Sequence, residues 1–386
     1  MLTKSYRYVC RIPRVDDKMI MFISFHGRGY TDNPKALHQY LCSQPEFADY
    51  KFVWALKHPK NEEIENAIKV KYRGFHYFLY LAQSKYWICN CKLPRYVYRK
   101  KNQIYLQTWH GTPLKRLAHD IIVPEGTTFY RSGMNETEMH KTYDDDVSKY
   151  TYMISPNKFC TEVFQSAFQI DRERLIETGY PRNDVLVRSR DDEQVIRDLK
   201  IKHGLPLDKK IILYAPTWRD DNYNVSGYLF ELEVDFHLWK ETLGEDYVVI
   251  FKPHYLIINK FENDESLEGF LFNADANSDI NELYVVADLM VTDYSSVFFD
   301  YAIFNRPMYF YMYDIERYKN QLRGFYLDIY TELPGPIIED EKELLEWIKS
   351  GKVGGVGLEE FNARFNHCED GNSSKRVIDI LFDRKA

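Results

Sequence analysis

The stretch IYLQTWHGTP, Ile104 to Pro113, decides how the chain is read. Ile104-Tyr105-Leu106 reads as the end of a buried strand. Gly111 lets another chain approach closely, and Pro113 stiffens the turn behind it. A histidine, His110, therefore stands on a tight turn at the mouth of a strand. A neutral imidazole there is the usual general base for a hydroxyl; a turn histidine bonded to backbone is the plainer alternative. No HxH, HExxH or DxD pattern sits nearby to make it a metal ligand.

The same pattern repeats on both sides. Short apolar runs of strand length fall at Met19 to Phe25, Lys51 to Leu56, Tyr86 to Cys89, Ile104 to Gln107 and Tyr152 to Ser155, with helical segments between them, from Asn33 and from about Lys158. Gly179 to Asp184 breaks the series, and a charged helix is predicted over Asp191 to His203. Strands then restart at Lys210 to Ala215, Tyr247 to Phe251, Leu289 to Thr292 and Met308 to Tyr311. Helices follow at Asp279 to Ala287, Val297 to Phe304, Lys342 to Ser350 and Ser374 to Phe382. Strands alternating with helices define an α/β chain with parallel sheets. Its 386 residues suit two domains of roughly 200 residues each. The expectation is two doubly wound, Rossmann-like domains facing a central cleft, residues 1–195 on the acceptor and membrane side and 196–386 on the donor side. Ligands in such sheets bind outside the C-terminal strand ends.

The polar motifs fall at those ends. After KIILYA come Thr217, Trp218, Arg219, Asp220 and Asp221; after YVVIF, Lys252, Pro253 and His254; after LMV, Thr292, Asp293, Tyr294, Ser295 and Ser296. Ser295 or Ser296 would cap the helix that follows, where backbone N–H groups suit a phosphate. Lys252 and His254 can donate to phosphate oxygens. Arg219 can clamp a diphosphate or pair with Asp220 or Asp221. Together they suggest a phosphorylated donor in the second domain. No acidic cluster compels a metal and none is assigned, although Asp220, Asp221 or Asp293 offers carboxylates to Mg²⁺.

Composition is globular, 45% hydrophobic and 28% charged, and the net charge of −7 argues against nucleic acid as a general partner. Yet no Asp or Glu occurs between Asn66 and His119. Lys69, Lys71, Arg73, Arg99, Lys100 and Lys101 lie in that stretch, interleaved with Phe75, Tyr77, Phe78, Tyr80 and Trp87. It reads either as solvated cations or as a basic, aromatic-rimmed surface for an anionic membrane or polyanion. The first residues are charged throughout, unlike a signal peptide, and the apolar runs are too short to span a bilayer. Six cysteines show no zinc spacing, Cys89-Asn90-Cys91 being too tight. They read as reduced thiols, so the expected location is cytoplasmic, peripheral on the inner face of the cell membrane.

With these residues in place the chain resembles the CDP-glycerol glycerophosphotransferases, the teichoic acid primases and polymerases, and related capsule enzymes. The matching stretches are SFHGRGYTDNPKAL (Ser24 to Leu37), YLQTWHGTPLKRL (Tyr105 to Leu117), TGYPRND (Thr178 to Asp184), YAPTWRDD (Tyr214 to Asp221), FKPHY (Phe251 to Tyr255), VTDYSSVFFDYAIFNRPMYFY (Val291 to Tyr311) and DGNSSKRVIDIL (Asp370 to Leu381). The resemblance implies a GT-B fold whose C-terminal helix often crosses back to the first domain. It implies transfer of glycerol phosphate, or a related polyol phosphate, from a CDP-activated donor to a polyprenyl-diphosphate-linked acceptor, with release of CMP. It makes His110 the base and His254 the diphosphate-binding histidine, with Arg219, Ser295 and Ser296 on the donor side. His26-Gly27-Arg28 departs from many relatives, which bears on the acceptor. The length, without the extra N-terminal domain of the large polymerases, leans toward a primase or short polymerase. The alternatives are CDP-ribitol, another nucleotide donor, or a donor-binding membrane scaffold without turnover. Oligomeric state is not written in the sequence.

Overall fold

The structure is a computed structural model. It describes residues 6, 8–123, 127, 133–217, 223–224, 227–228, 233–253, 264–275, 278–316 and 324–383. The chain forms two compact units. One is Met1–Gly111, Leu117–Asp184 and His367–Ala386; the other is Thr112–Arg116 and Val185–Asn366.

In the first unit, β1 (Asp16–Ile23) leads through α1 (Asp32–Cys42) to β2 (Lys51–Leu56) and β3 (Ala67–Lys71). Helix α2 (Phe75–Gln83) returns the chain to β4 (Ser84–Cys89) and β5 (Ile104–Gln107). Then come α3 (Glu136–Val147), β6 (Tyr152–Ser155), α4 (Lys158–Phe168) and β7 (Leu175–Glu177). All seven strands are parallel, in the order β3-β2-β1-β4-β5-β6-β7. The chain runs outward from β1 to one edge, then returns to β4 and runs to the other. The switch point lies between β1 and β4, where a doubly wound sheet opens a crevice at its C-terminal edge. Because both faces are covered, the strands are nearly continuous apolar runs, and β1 from Met19 to Ile23 is wholly buried.

In the second unit, short helices α5 (Asp184–Ser189) and α6 (Glu193–Lys202) precede β8 (Lys210–Ala215), and β9 (Tyr223–Asn224) and β10 (Gly227–Tyr228) form a small antiparallel pair. Then follow α7 (Phe236–Leu243), β11 (Tyr247–Phe251), β12 (Leu271–Asn273), α8 (Ile280–Val286) and β13 (Leu289–Thr292). Helix α9 (Val297–Tyr301), β14 (Met308–Tyr311), β15 (Ile337–Ile338), α10 (Glu341–Ser350) and α11 (Leu358–Phe365) complete it. Its six strands are parallel, in the order β12-β11-β8-β13-β14-β15, with the switch point between β8 and β13.

The last helix, α12 (Ser373–Leu381), belongs to the first unit. Its Val377, Ile378 and Leu381 pack with Ile20, Phe22, Trp54 and Ile88 of the sheet and Leu37 and Leu41 of α1. Full burial of one such aliphatic side chain stabilises by about 1.5–3 kcal/mol, so this stripe suffices to hold the returning segment. Asp184 fixes its start: the carboxylate accepts from the backbone N–H of Ser373 at 2.7 Å and of Ser374 at 2.8 Å. A negative charge at a helix N-terminus is favourable. Among the described residues no helix is long and apolar enough to cross a membrane.

Candidate active site

At the switch point of the first unit, three strand ends are tied together by one residue, Asn90, which follows β4 and is fully buried. Its side-chain oxygen accepts from Phe25 N–H at 2.8 Å. Its amide nitrogen donates to Ser24 Oγ at 3.2 Å and to Asp32 Oδ2 at 2.5 Å. Its backbone carbonyl stands 2.8 Å from His110 Nδ1. An isolated carbonyl can only accept, so Nδ1 carries the proton and Nε2 keeps its lone pair. The ring stacks on Trp109 at 4.4 Å and meets the edge of Phe25 at 5.7 Å. His110 is open to solvent yet crowded by neighbours. Desolvation holds its pKa below the ordinary 6.5; Asp32 and the Asn90 carbonyl pull the other way, and Arg182 adds to the lowering. The imidazole is thus neutral at pH 7, with Nε2 ready to take a proton.

The turn beneath it is built from distant pieces. Asn33 donates to the carbonyls of Thr108 and Trp109, at 3.3 and 3.2 Å, and accepts from Arg182 N–H. Gln107 accepts from Trp109 N–H at 3.0 Å. Arg182, in the loop after β7, bridges Asp32 Oδ1 at 2.6 Å and the His110 carbonyl at 2.8 Å. Strain accumulates here as well. Phe25, His26, Asp32 and Trp109 all have positive φ, between 41° and 63°, and Gly27 has φ of 79°. Such backbones persist only where surrounding bonds over-determine them, and they favour functional sites. Gly27 has a steric reason too, since a Cβ would lie 2.9 Å from Tyr72 Cβ and 3.1 Å from the Ala55 carbonyl. His26 is solvent-exposed beside Tyr72, and partial desolvation of its ring by neighbouring atoms, with the charges of Arg28, Arg73 and Lys57, lowers its pKa.

The second unit gathers its own set at its switch point. Asp293, buried after β13, accepts from Thr217 N–H at 2.9 Å and from the Thr217 hydroxyl, joining the ends of β13 and β8. One carboxylate oxygen is thus spent on scaffolding. Thr292 Oγ1 donates to the Ala215 carbonyl at 2.8 Å, a second tie between the same strands. Lys252, directly after β11, donates to the Asp275 carbonyl, and burial lowers its pKa against the pull of Asp275 and Asp279. Ser295 and Ser296 are half-buried before α9, and Ser296, at the N-cap position, makes no side-chain capping bond. Arg219, Asp220, Asp221 and His254 lie outside the described residues.

The basic stretch divides in the structure. Lys69, Lys71 and Arg73 are exposed on and just after β3, the sheet edge; Lys69 and Lys71 line a groove of about 290 Å³ together with Phe75, His76 and Tyr80. Lysines on an edge strand also discourage edge-to-edge pairing. Lys101 is exposed. Lys69 donates to the exposed Glu62 carbonyl at 2.8 Å, whereas the half-buried Arg99 and Lys100 reach inward, Arg99 to the Gln103 carbonyl and Lys100 to those of Pro13 and Ala82. Arg95 meets Asp145 and Lys85 meets Asp17, acids from elsewhere in the chain. Of the aromatics, Tyr77 and Trp87 are fully buried, whereas Phe75 is 78% exposed. Cys89 and Cys91 are buried free thiols.

Asn90, Asp32 and Arg182 carry no role in the sequence reading. Their signal is position alone: Asn90 follows a strand, as His110 does, and Asp32 and Arg182 lie in stretches that match relatives.

Two Rossmann-like units, each with polar residues gathered at its switch point, make up a GT-B-like fold. The chain belongs to the CDP-glycerol:poly(glycerophosphate) glycerophosphotransferase family, whose model matches residues 4–383. It is 40% identical over 374 residues to the teichoic acid poly(glycerol phosphate) polymerase of Staphylococcus epidermidis, covering 95% of this chain and 51% of that one. It thus spans about half the length of that relative. It is 36% identical over 387 residues to the teichoic acid glycerol-phosphate transferase of Staphylococcus aureus, covering 98% and 96% of the two chains. A structure of the wall teichoic acid polymerase TagF, soaked with CDPG, superposes with a TM-score of 0.89 at 36% identity, over 99% of this chain and 93% of that one.

Proposed function

We propose that the chain transfers glycerol phosphate from CDP-glycerol to a hydroxyl of a polyprenyl-diphosphate-linked acceptor in teichoic acid or related polymer synthesis. The observation that carries this is His110, with Nδ1 committed to the Asn90 carbonyl, Nε2 left as an acceptor and its pKa depressed. The acceptor oxygen attacks the glycerol-bearing phosphorus in line and its proton passes to Nε2. The new P–O bond forms as the bond to CMP breaks, and CMP leaves with the electron pair. Such chemistry needs positioning and charge stabilisation more than covalent help. A positioned base contributes about 10²–10⁴-fold. On the donor side, Lys252, Ser295 and Ser296 supply donors for the diphosphate beside the Thr217–Asp293 tie. Arg219 and His254 join them by resemblance, and replacing either with Ala should weaken CDP-glycerol binding in calorimetry. Lys69, Lys71 and Arg73, on and just after the edge strand, form the face for an anionic cytoplasmic membrane surface. Each basic residue near such a surface contributes about 1 kcal/mol.

The test is CMP release on mixing the chain with CDP-glycerol and a lipid-linked acceptor, with CDP-ribitol run in parallel. Release with CDP-glycerol supports the reading. Faster release with CDP-ribitol reassigns the donor, and tight donor binding without release indicates a scaffold.

A further inference from the structure

The end of β7 holds a cluster that the transfer reaction does not use. Glu177 ends the strand, and His367 and Cys368 begin the segment that carries α12 back to the first unit. One carboxylate oxygen, one imidazole nitrogen and the Cys368 sulfur all lie within 4.8 Å of one another. His367 Nε2 stands 3.7 Å from Glu177 Oε1. That gap exceeds a hydrogen bond, whose N···O distance is about 2.7–3.2 Å. It matches the edge of a tetrahedron around a zinc-sized ion, about 3.4 Å for metal–ligand bonds near 2.0–2.3 Å. The other carboxylate oxygen of Glu177 accepts from Thr161 Oγ1 at 2.7 Å, and that hydroxyl lies 2.8 Å from Ser155 Oγ. Such a bond aims the carboxylate, as outer partners of metal ligands do. Arg172 is 3.9 Å from that same Oε2.

The backbone beneath is pinned from both sides. Tyr180 N–H donates to Glu369 Oε1 at 2.9 Å, and Arg376 donates to the carbonyls of Thr178 and Cys368. Gly179 has φ of 78°, and a Cβ there would fall 3.0 Å from the Cys368 carbonyl. Burial, and after it the negative charges of Glu177 and Glu369, push the Cys368 thiol up to about 11 against the pull of Arg376, so a cation that binds there displaces the thiol proton.

We propose that Glu177, His367 and Cys368 form a binding site for a divalent cation of the zinc class, with water as the fourth ligand. Thiolate, imidazole and carboxylate together select a borderline-soft ion over Mg²⁺ or Ca²⁺. Bound there, the ion staples the returning C-terminal segment to the edge strand of the first unit. The site is structural and shares no residue with the network around His110.

The probe is Co²⁺ alone, added anaerobically to the reduced full chain after chelator treatment. One equivalent should give a near-ultraviolet thiolate-to-cobalt band and the visible absorption of a four-coordinate ion, both erased by Zn²⁺. Cys368→Ser should remove the near-ultraviolet band and His367→Ala should weaken binding at least tenfold. Thr161→Val should weaken it about tenfold. Cys42→Ser should change nothing; it controls for Cys42 and His38, whose Sγ and Nε2 lie 3.4 Å apart. Zn²⁺ should raise the melting temperature of the wild type and not of Cys368→Ser. Should a variant fail to fold, wild-type protein decides: Zn²⁺ should slow alkylation of Cys368, followed by mass spectrometry, at least tenfold. Absence of the band, its persistence in Cys368→Ser, or unprotected alkylation overturns the site.

Discussion

Replacing Asp32 by Asn changes one charge inside the network that holds His110. Asp32 and Arg182 are nearly buried, their side chains 5% and 10% exposed. The carboxylate accepts from Arg182 at 2.6 Å and from Asn90 at 2.5 Å. A hydrogen bond to a charged group contributes about 1.5–3 kcal/mol, a neutral one about 0.5–1.5. The amide also turns an NH₂ toward one of two donors, so one bond is lost outright and Arg182 keeps a poorly paired charge. Together these cost about 2–3 kcal/mol, or roughly 5–10 °C in melting temperature. The kinetic sign follows from the same charge. Asp32 raises the His110 pKa, and Arg182 lowers it. Without the carboxylate that pKa moves further below 6.5. The transfer rate should rise with pH as His110 loses its proton, so the acid limb of kcat/KM lies below pH 6.5 in the wild type and lower still in Asp32→Asn. The plateau should fall about 10- to 100-fold, because the imidazolium formed during attack loses its stabilising neighbour. Thermal melts and a pH profile of CMP release measure both effects. A variant that melts like the wild type with an unmoved acid limb, or one whose limb moves to higher pH, refutes this role for Asp32.

Gly27→Ala should destabilise the first unit by about 1–3 kcal/mol, through the left-handed backbone and the contact with Tyr72; a melting temperature within a degree of wild type contradicts the packing argument. Reversing Lys69, Lys71 and Arg73 to Glu should release the protein from anionic vesicles while sparing activity on a short water-soluble acceptor, and added salt should weaken wild-type binding in the same direction. Undiminished sedimentation of the variant would move the dock elsewhere. Arg99→Glu or Lys100→Glu should instead lower stability, since both side chains satisfy buried carbonyls; a chemical melt separates that outcome from a pure docking effect. Asp293→Ala should loosen the ends of β8 and β13 and weaken CDP-glycerol affinity in calorimetry, and unchanged affinity would detach that tie from donor binding.

The strands that build the two switch points were legible because buried parallel strands are short continuous apolar runs with sharp polar ends. Ile104 to Gln107, Lys210 to Ala215 and Leu289 to Thr292 stand where expected. Strand β3, AIKVK, was missed because an edge strand alternates with lysine and reads as solvated surface. Strand β7, three residues long, is too short for periodicity to show. Helix α2 is hidden in the sequence by aromatics that interleave with cations, yet Tyr77 faces the core and Phe75 faces water. His110 was legible as a polar residue at a strand end. Asn90 was not, because its two cysteine neighbours drew the reading toward metals and thiols. The Asp32–Arg182 pair spans 150 positions, and only the strand order brings it together. The acid-free stretch misled in part for the same reason: Arg95 and Lys85 find their acids across the fold.

His110 carries the transfer reading, and one experiment isolates it. Wild type and His110→Ala are mixed with CDP-glycerol and a defined lipid-linked acceptor. CMP release and product mass are followed together, with donor affinity measured on the same samples. Wild type should release CMP as the acceptor grows by glycerol phosphate. The variant should bind CDP-glycerol as tightly and turn over at least 100-fold more slowly, about 2.7 kcal/mol in the barrier. A variant that keeps more than about a tenth of the rate, a loss under about 1.4 kcal/mol, or a wild-type product whose mass does not rise by glycerol phosphate, contradicts it.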